Sequence, residues 1–254
     1  MANLRANKIT GTEVFETTGS VQFDGADDYL TIPDSSDFTF GSGDFTLEAW
    51  IYAQSYGNYP SIINKYDTGG SGAQWFWSLD DNSPGQSFYF YVGSGVIQLR
   101  NVGNVPLNRW THCAVTRNGE TIRIFQDGIL QGSFSVGTSS MNDTSGAVSI
   151  GADALGLYDF RGHISNARII KGQALYTKNF TPPTRELTVI PNTVLLCCQS
   201  TTRANEEKTG KTITVNGNSV ANELTPGLLT DRVKSGGDSA ISGSVEFDGT
   251  GIIC

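Results

Sequence analysis

Histidine, charge and long apolar runs are all scarce in this chain, and each shortage removes a class of function. The two histidines, His112 and His163, lie far apart, each inside a strand-like run. They form no Ser-His-Asp arrangement and read as satisfied structural histidines. No apolar run approaches the ~20 residues of a membrane-spanning helix. The opening Met-Ala-Asn-Leu-Arg-Ala-Asn-Lys lacks the apolar stretch of a secretory signal, so the expectation is a protein made in a cytosol. Charged residues make up 17% of the chain, the net charge is −8, and no Lys/Arg cluster could track a phosphate backbone. Neither nucleic acid nor membrane is an expected partner. Four cysteines, Cys113, Cys197, Cys198 and Cys254, make neither a disulfide framework nor a zinc spacing. Adjacent residues on a strand point to opposite faces, so Cys197 and Cys198 read as buried or idle thiols. Helical periodicity and a glycine-rich phosphate loop are absent as well.

What is present is turn chemistry between strands. Thirty glycines with abundant Ser, Thr and Asn predict an all-β chain, and 254 residues suit one large sandwich. The clearest stretch is Arg109 to Gly132, where Asn118-Gly119 and Asp127-Gly128 punctuate runs of β-branched and aromatic residues. Both pairs read as tight type I′ turns, giving a three-strand meander in the middle of an antiparallel sheet. Cys113 and Val115 share one face of their strand, as do Ile122 and Ile124 of the next. From Phe45 to Tyr52, the alternation puts Phe45, Leu47, Ala49 and Ile51 in the core and Thr46, Glu48, Trp50 and Tyr52 on the outer face. Phe38 and Phe40 are expected to plug the sandwich edge. Phe180-Thr-Pro-Pro-Thr cannot occupy a central strand, because two prolines remove ladder donors.

The expected organisation is an N-terminal arm over residues 1–18, a sandwich over 19–199, and a polar extension over 200–254. That extension reads as a linker or small appendage with one modest strand from Thr212 to Val215. It ends in an internal repeat, since Gly243-Ser-Val-Glu-Phe-Asp-Gly249 copies Gly19-Ser-Val-Gln-Phe-Asp-Gly25 with one conservative change. The repeat either begins a second domain or is a lone strand that pairs with a sheet edge, in its own chain or a neighbour.

Five motifs in order carry a family resemblance: Phe-Asp-Gly-Ala-Asp-Asp-Tyr-Leu, Gly-Asp-Phe-Thr-Leu-Glu-Ala-Trp-Ile-Tyr, Asn-Arg-Trp-Thr-His-Cys-Ala-Val-Thr-Arg, Gln-Asp-Gly and Arg-Gly-His-Ile-Ser-Asn-Ala-Arg-Ile. Together they resemble laminin G-like domains of the concanavalin A-like lectin and glucanase superfamily over about residues 19–199. The resemblance implies a two-sheet antiparallel jelly roll. Many such domains carry acidic residues after the Gly-x-Ile, where this chain has Ser165 and Asn166, so no metal or acid role transfers to that position. Met-Ala-Asn-Leu-Arg, Lys-Gly-Gln-Ala-Leu-Tyr-Thr-Lys-Asn-Phe-Thr-Pro-Pro-Thr and Leu-Leu-Cys-Cys-Gln-Ser also resemble structural proteins of marine bacteriophages, especially those infecting cyanobacteria. That likeness implies a fibre, tail appendage or capsid decoration assembled in the host cytoplasm.

Glycosidases of this superfamily place Glu-x-Asp-x-x-Glu-like carboxylates on one strand, because hydrolysis needs two acids at fixed separation. Glu48 stands alone on its strand, so no enzyme is expected. A glycan site would use aromatic faces and polar groups at loop tips, and Tyr56, Asn58, Tyr59, Asp80, Asp81, Asn82, Asp153, Tyr158 and Asp159 are the candidates. Asp80, Asp81 and Asp153 are candidate calcium ligands, the alternative being solvated turn residues. The leading expectation is a non-enzymatic virion protein that forms a homo-oligomer, contacts other virion proteins and aids host adhesion. The alternative is a carbohydrate-binding module for host-surface polysaccharide.

Overall fold

The computed structural model describes residues 14–66, 75–80, 87–92, 97–141 and 143–234. Among these the strands are β1 (Val14–Thr17), β2 (Ser20–Asp24), β3 (Tyr29–Ile32), β4 (Phe45–Ala53), β5 (Ser61–Lys65), β6 (Trp75–Asp80), β7 (Ser87–Val92), β8 (Ile97–Val102) and β9 (Trp110–Asn118). They continue with β10 (Thr121–Gln126), β11 (Ile129–Ser135), β12 (Val148–Ile150), β13 (Arg161–Lys171), β14 (Thr193–Cys197), β15 (Thr214–Asn216), β16 (Val220–Asn222) and β17 (Leu229–Lys234).

Two antiparallel sheets form the sandwich. Sheet one runs β11-β10-β9-β4-β13-β2-β16, with β14 also on β13, and sheet two runs β15-β3-β12-β5-β6-β7-β8. The chain divides into two units, residues 17–229 and the terminal segments, whose described part is the pairing of β1 with β17. The first thirteen residues of the arm and the repeat at 243–249 lie outside the described residues.

Period-two alternation fills the space between the sheets. Phe45, Leu47, Ala49 and Ile51 of β4 meet Trp75, Trp77 and Leu79 of β6 and Phe88 and Phe90 of β7 in one fully buried cluster. Removing each large apolar side chain from water contributes about 1.5–3 kcal/mol. Cys113, Val115, Ile122 and Ile124 join the same core. Phe40 stacks between Phe45 and Trp75, with ring centroids 4.7 and 5.5 Å away. Phe38 is buried as well, so the loop before β4 closes one end of the core.

Three sequence expectations change. The meander does not occupy the middle of its sheet: β11 is the edge strand, and its residues are largely exposed. The first turn falls one residue later than expected, because Thr121 pairs with Asn118 and leaves Gly119-Glu120 as the loop. Gly119 then takes φ +58° at the first central position, as in a II′ turn, and the Asp44 carboxylate accepts from its N–H at 2.7 Å. Thirdly, residues 200–229 are no linker. β15 extends sheet two by pairing with β3, and β16 extends sheet one by pairing with β2. A polar composition reads as linker, yet an edge strand needs few apolar residues because one side of it faces solvent.

The Asp127-Gly128 turn keeps its expected form, with φ +47° and +76°. Its glycine has a further reason: a Cβ on Gly128 would lie 2.0 Å from the Phe180 carbonyl oxygen, and the Phe180 N–H donates to the Gly128 oxygen at 2.9 Å. A Cβ on Gly119 would meet nothing within 4 Å. Gly128→Ala is therefore expected to destabilise by about 2–4 kcal/mol, from backbone strain plus the clash, and Gly119→Ala by only about 1 kcal/mol. Urea unfolding midpoints of the two variants check the order; equal losses would mean that the Phe180 contact is unimportant.

Candidate functional site

The outer faces of the two sheets are treated oppositely. On sheet one, Thr46 and Glu48 are fully buried, because residues 173–190 cross that face as a non-strand strap. Thr46 Oγ1 donates to the Gln173 oxygen and Thr116 Oγ1 to the Tyr176 oxygen, at 2.9 and 2.8 Å. Tyr176 and Phe180 stack on each other, with centroids 3.6 Å apart, over Phe125 and His112.

Under this strap the Glu48 carboxylate has no exposure. Arg168 Nε and Nη2 donate to Oε1 at 2.8 and 2.6 Å, and Tyr176 Oη donates to Oε2 at 2.8 Å. His112 Nε2 lies 3.2 Å from the same Oε2 and must carry the hydrogen, since an ionised carboxylate only accepts. Burial pushes the Glu48 carboxyl upward, but the His112 bond and the Arg168 charge outweigh it and hold it below its ordinary value. Burial and the Glu48 charge push the Tyr176 hydroxyl well up. Asn166, in the left-handed region at a bulge in β13, accepts from Leu187 N and Gln199 Nε2 at 2.8 and 2.7 Å. Asn166 thus holds the strap's far end.

Sheet two leaves its outer face partly open. Between the inward Trp75, Trp77 and Leu79 of β6 stands Phe76, and between the inward Phe88, Phe90 and Val92 of β7 stand Tyr89 and Tyr91. Two loops rise beside them. In residues 54–60, Tyr59 takes φ +52°, and in residues 151–160, Tyr158 takes φ +64°. Tyr59, Tyr66, Phe76, Tyr89, Tyr91 and Tyr158 enclose a cleft of about 180 Å³. Phe76 and Tyr89 are its most buried rings, at 4% and 7% exposure, while Tyr59, Tyr66, Tyr91 and Tyr158 are half-buried. Tyr59 and Tyr66 meet Tyr158 at 80° and 82°, so the rings stand as walls to one another.

Both loops are tied down. Pro60 O accepts from Leu79 N at 2.9 Å, and Tyr158 O accepts from Ser61 N at 2.8 Å. Asn64, on the outer face of β5, donates to Ala152 O at 3.3 Å and accepts from Ser149 Oγ at 2.8 Å. Asp153 organises the second loop: its Oδ1 accepts from Leu155 N and Leu157 N at 2.9 and 2.8 Å. Its Oδ2 is buried without a hydrogen-bond partner. Burial, and then Asp159, push the Asp153 carboxyl above its ordinary value. Holding bulky tyrosines at positive φ costs on the order of 1–3 kcal/mol each, and such strain clusters where a surface is built for binding.

Of the expected glycan residues, Tyr59 and Tyr158 come together in the cleft. Asp159, next to Tyr158, is half-buried, and burial pushes its carboxyl upward. Tyr56 turns elsewhere, donating to Val105 O at 2.7 Å, and Asn58 is exposed at the loop tip. Asp81 and Asn82 lie outside the described residues. Of the candidate calcium ligands, Asp80 ends β6 buried, paired with Ser87 across the hairpin, and Asp153 serves its own loop. The carboxylates that do converge among the described residues are Asp24, Asp27 and Asp28, with ligand atoms within 4.8 Å of one another. Both Asp28 oxygens already accept backbone N–H groups, from Asp24 at 2.9 Å and from Asn218, which ties the β2–β3 turn to residues 217–218. Sequence reasoning missed Tyr66, Phe76, Tyr89 and Tyr91. The signal for Tyr89 and Tyr91 was the run Phe88 to Tyr91, and for Phe76 the run Trp75 to Trp77, where aromatics occupy both faces of one strand instead of alternating with polar residues.

With fold and site in view, comparison with known proteins is direct. The sequence profile of the concanavalin A-like lectin/glucanases superfamily, in its laminin G-like form, matches residues 24–175. The chain belongs to this superfamily. No curated protein sequence matches the chain. Among solved structures, it is similar to a Bacteroides ovatus protein described as carbohydrate-binding, with TM-score 0.62 and 16% identity over 86% of this chain. It spans 61% of that protein's length. It is also similar to a native heptameric SAP-like pentraxin of Limulus polyphemus, with TM-score 0.54 and 12% identity, covering 83% of this chain and 96% of that one. A third is domain 4 of a Geobacillus stearothermophilus arabinanase in complex with arabinotriose, with TM-score 0.47 and 16% identity over 60% of this chain and 70% of that one. At these identities the likeness is one of fold.

Glu48 yields a pH prediction. Its carboxyl ionises more readily folded than unfolded, so it adds stability above its unfolded pKa that is lost as pH falls through the lower, folded value. At neutral pH Glu48→Gln is expected to cost about 3–5 kcal/mol, because it leaves Arg168 buried without its counter-charge. The gap between variant and parent is expected to narrow as pH drops below 4.5, the carboxyl's ordinary value. Denaturant titrations across pH 3–7 check it; a pH-independent gap would mean that the lost shape, not the charge, matters.

Proposed function

We propose that this chain is a non-catalytic carbohydrate-binding domain whose sugar contact is the tyrosine-lined cleft on sheet two. The observation that carries the reading is the cleft: six aromatic side chains around about 180 Å³, on a face that solvated sheets fill with polar residues. Flat rings cover the apolar faces of a pyranose, and tyrosine hydroxyls offer donors and acceptors to its substituents. Two of the walls stand on loops held at strained φ, which supports a preformed site. The fold shared with a protein described as carbohydrate-binding agrees with this reading.

Hydrolysis would need two carboxylates able to reach a glycosidic bond. Glu48 is sealed beneath the strap with both oxygens engaged, and Asp153 is buried behind its own loop. Their burial supports binding without catalysis. The setting we propose is a virion appendage of a bacteriophage that uses the domain for host adhesion, on the likeness of the segments at 1–5, 171–184 and 195–200. An acidic, thiol-bearing sandwich suits assembly in a reducing cytosol.

Glycan-array screening of the full chain, with and without calcium, is expected to find a saccharide ligand. Tyr91→Ala and Tyr158→Ala should each weaken it on the order of tenfold or more while leaving the melting temperature within a few degrees. Binding that survives both substitutions would move the site away from the cleft. Light scattering of the full chain is expected to report a multimer, as a virion component requires; a monomer at all concentrations would remove the assembly part of the proposal.

A further inference from the structure

The cleft has an electrostatic character that its aromatic lining alone does not convey. Its lining rings come from residues 54–60, Tyr66, β6, β7 and residues 151–160. Among these described residues there is no Lys, Arg or His, and they carry Asp80, Asp153 and Asp159. Lys65, the residue before Tyr66, is fully buried and bound to Asp34 at 2.7 Å. Asp153, whose Oδ2 has no hydrogen-bond partner, belongs to the loop that carries Tyr158, and its charge reaches Tyr66.

The aromatic faces add to this field. Each ring presents a negative π-face, and cations are drawn to such faces within about 6 Å of the centroid. Here the rings stand nearly perpendicular in pairs, Tyr66 with Phe76 at 62°, Phe76 with Tyr158 at 71° and Tyr59 with Tyr158 at 80°, so several faces border one small space. An anionic sugar would need a guanidinium or ammonium partner, and none of the six lining residues supplies one. A neutral sugar would leave the local negative charge unanswered.

We propose that the cleft selects a cationic ligand, an alkylammonium group, which the recognised glycan carries as a free amine or a choline substituent. This rests on the carbohydrate-binding reading and adds the class of sugar. A compact ammonium group fits a space of this size and gains from several ring faces at once, while the sugar that carries it stacks on the half-buried tyrosines.

The test is isothermal titration of the full chain with four probes: choline, its uncharged isostere 3,3-dimethylbutan-1-ol, a chitosan oligosaccharide with free amines, and the same oligosaccharide fully N-acetylated. Choline is expected to bind about tenfold or more tightly than the isostere, and the free-amine oligosaccharide more tightly than its acetylated form. The preference should fall in Asp153→Asn, whose side-chain oxygen can still accept from Leu155 and Leu157. Binding itself should fall in Tyr158→Leu and in Tyr91→Leu, the second serving if the first alters the loop. Response to choline alone supports the choline substituent, and response to the free-amine oligosaccharide alone supports the amino sugar. Equal affinity within both pairs, or preference for the acetylated oligosaccharide, overturns charge selection and leaves the glycan reading standing. No heat from any probe, together with a silent glycan array, overturns both.

Discussion

Everything on the outer face of sheet one depends on one buried charge. A carboxylate at the position of Glu48, with no exposure to water, is tolerable only if its lone pairs are fully engaged and a counter-charge lies beside it. The donors come from far apart in the sequence: His112 on β9, Arg168 on β13 and Tyr176 on the strap. Forming the network brings four segments together, and leaving out any one orphans the rest. The strap is long and carries two prolines, so it cannot be held by a strand ladder. It is held by side-chain bonds to Thr46, Thr116 and Asn166, by the close approach of Phe180 to Gly128, and by the Tyr176 hydroxyl on Glu48.

That choice has a functional consequence. The strap seals part of the outer face of sheet one, and the aromatic cleft lies on sheet two. There the same period-two rule that buries Trp75, Trp77 and Phe90 puts Phe76, Tyr89 and Tyr91 outward, and polar floor residues such as Asn64 and Ser149 anchor the loop that raises Tyr158. One sheet's outer face thus supplies rigidity, and the other's supplies the cleft.

How much of this was legible in the sequence follows from the range of the interactions. Core alternation on β4 and the meander turns are local, and Phe45, Leu47, Cys113, Val115, Ile122 and Ile124 fall where their spacing puts them. The II′ turn at Gly119 was displaced by a long-range acceptor, Asp44, that no local pattern reveals. Glu48 read as a lone acid because its partners lie between 64 and 128 residues away. Tyr59 and Tyr158 were legible as loop aromatics, but their four cleft partners belong to strands and the end of β5, where an aromatic is ordinarily assigned to the core. Residues 200–229 were misread because edge strands such as β15 and β16 need little apolar surface.

The size of the cleft links the proposed sugar contact to the proposed assembly. About 180 Å³ is well below the ~300–1,000 Å³ of pockets that bury a drug-sized ligand, so the proposed contact would be with roughly one ring. Contact area of that order must overcome the cost of immobilising both partners, which leaves a single copy with modest affinity. Host-surface polysaccharides are repetitive, and a multimer presents the same cleft several times. Once the first copy is bound, the others act at an effective concentration set by the assembly, and avidity can exceed single-site affinity by ~10²–10⁴ without any new contact. On the proposed reading, a small cleft would therefore be enough for adhesion if the copies are held together. The same multiplication sharpens selectivity, because a several-fold preference for an ammonium-bearing ring compounds over each site engaged.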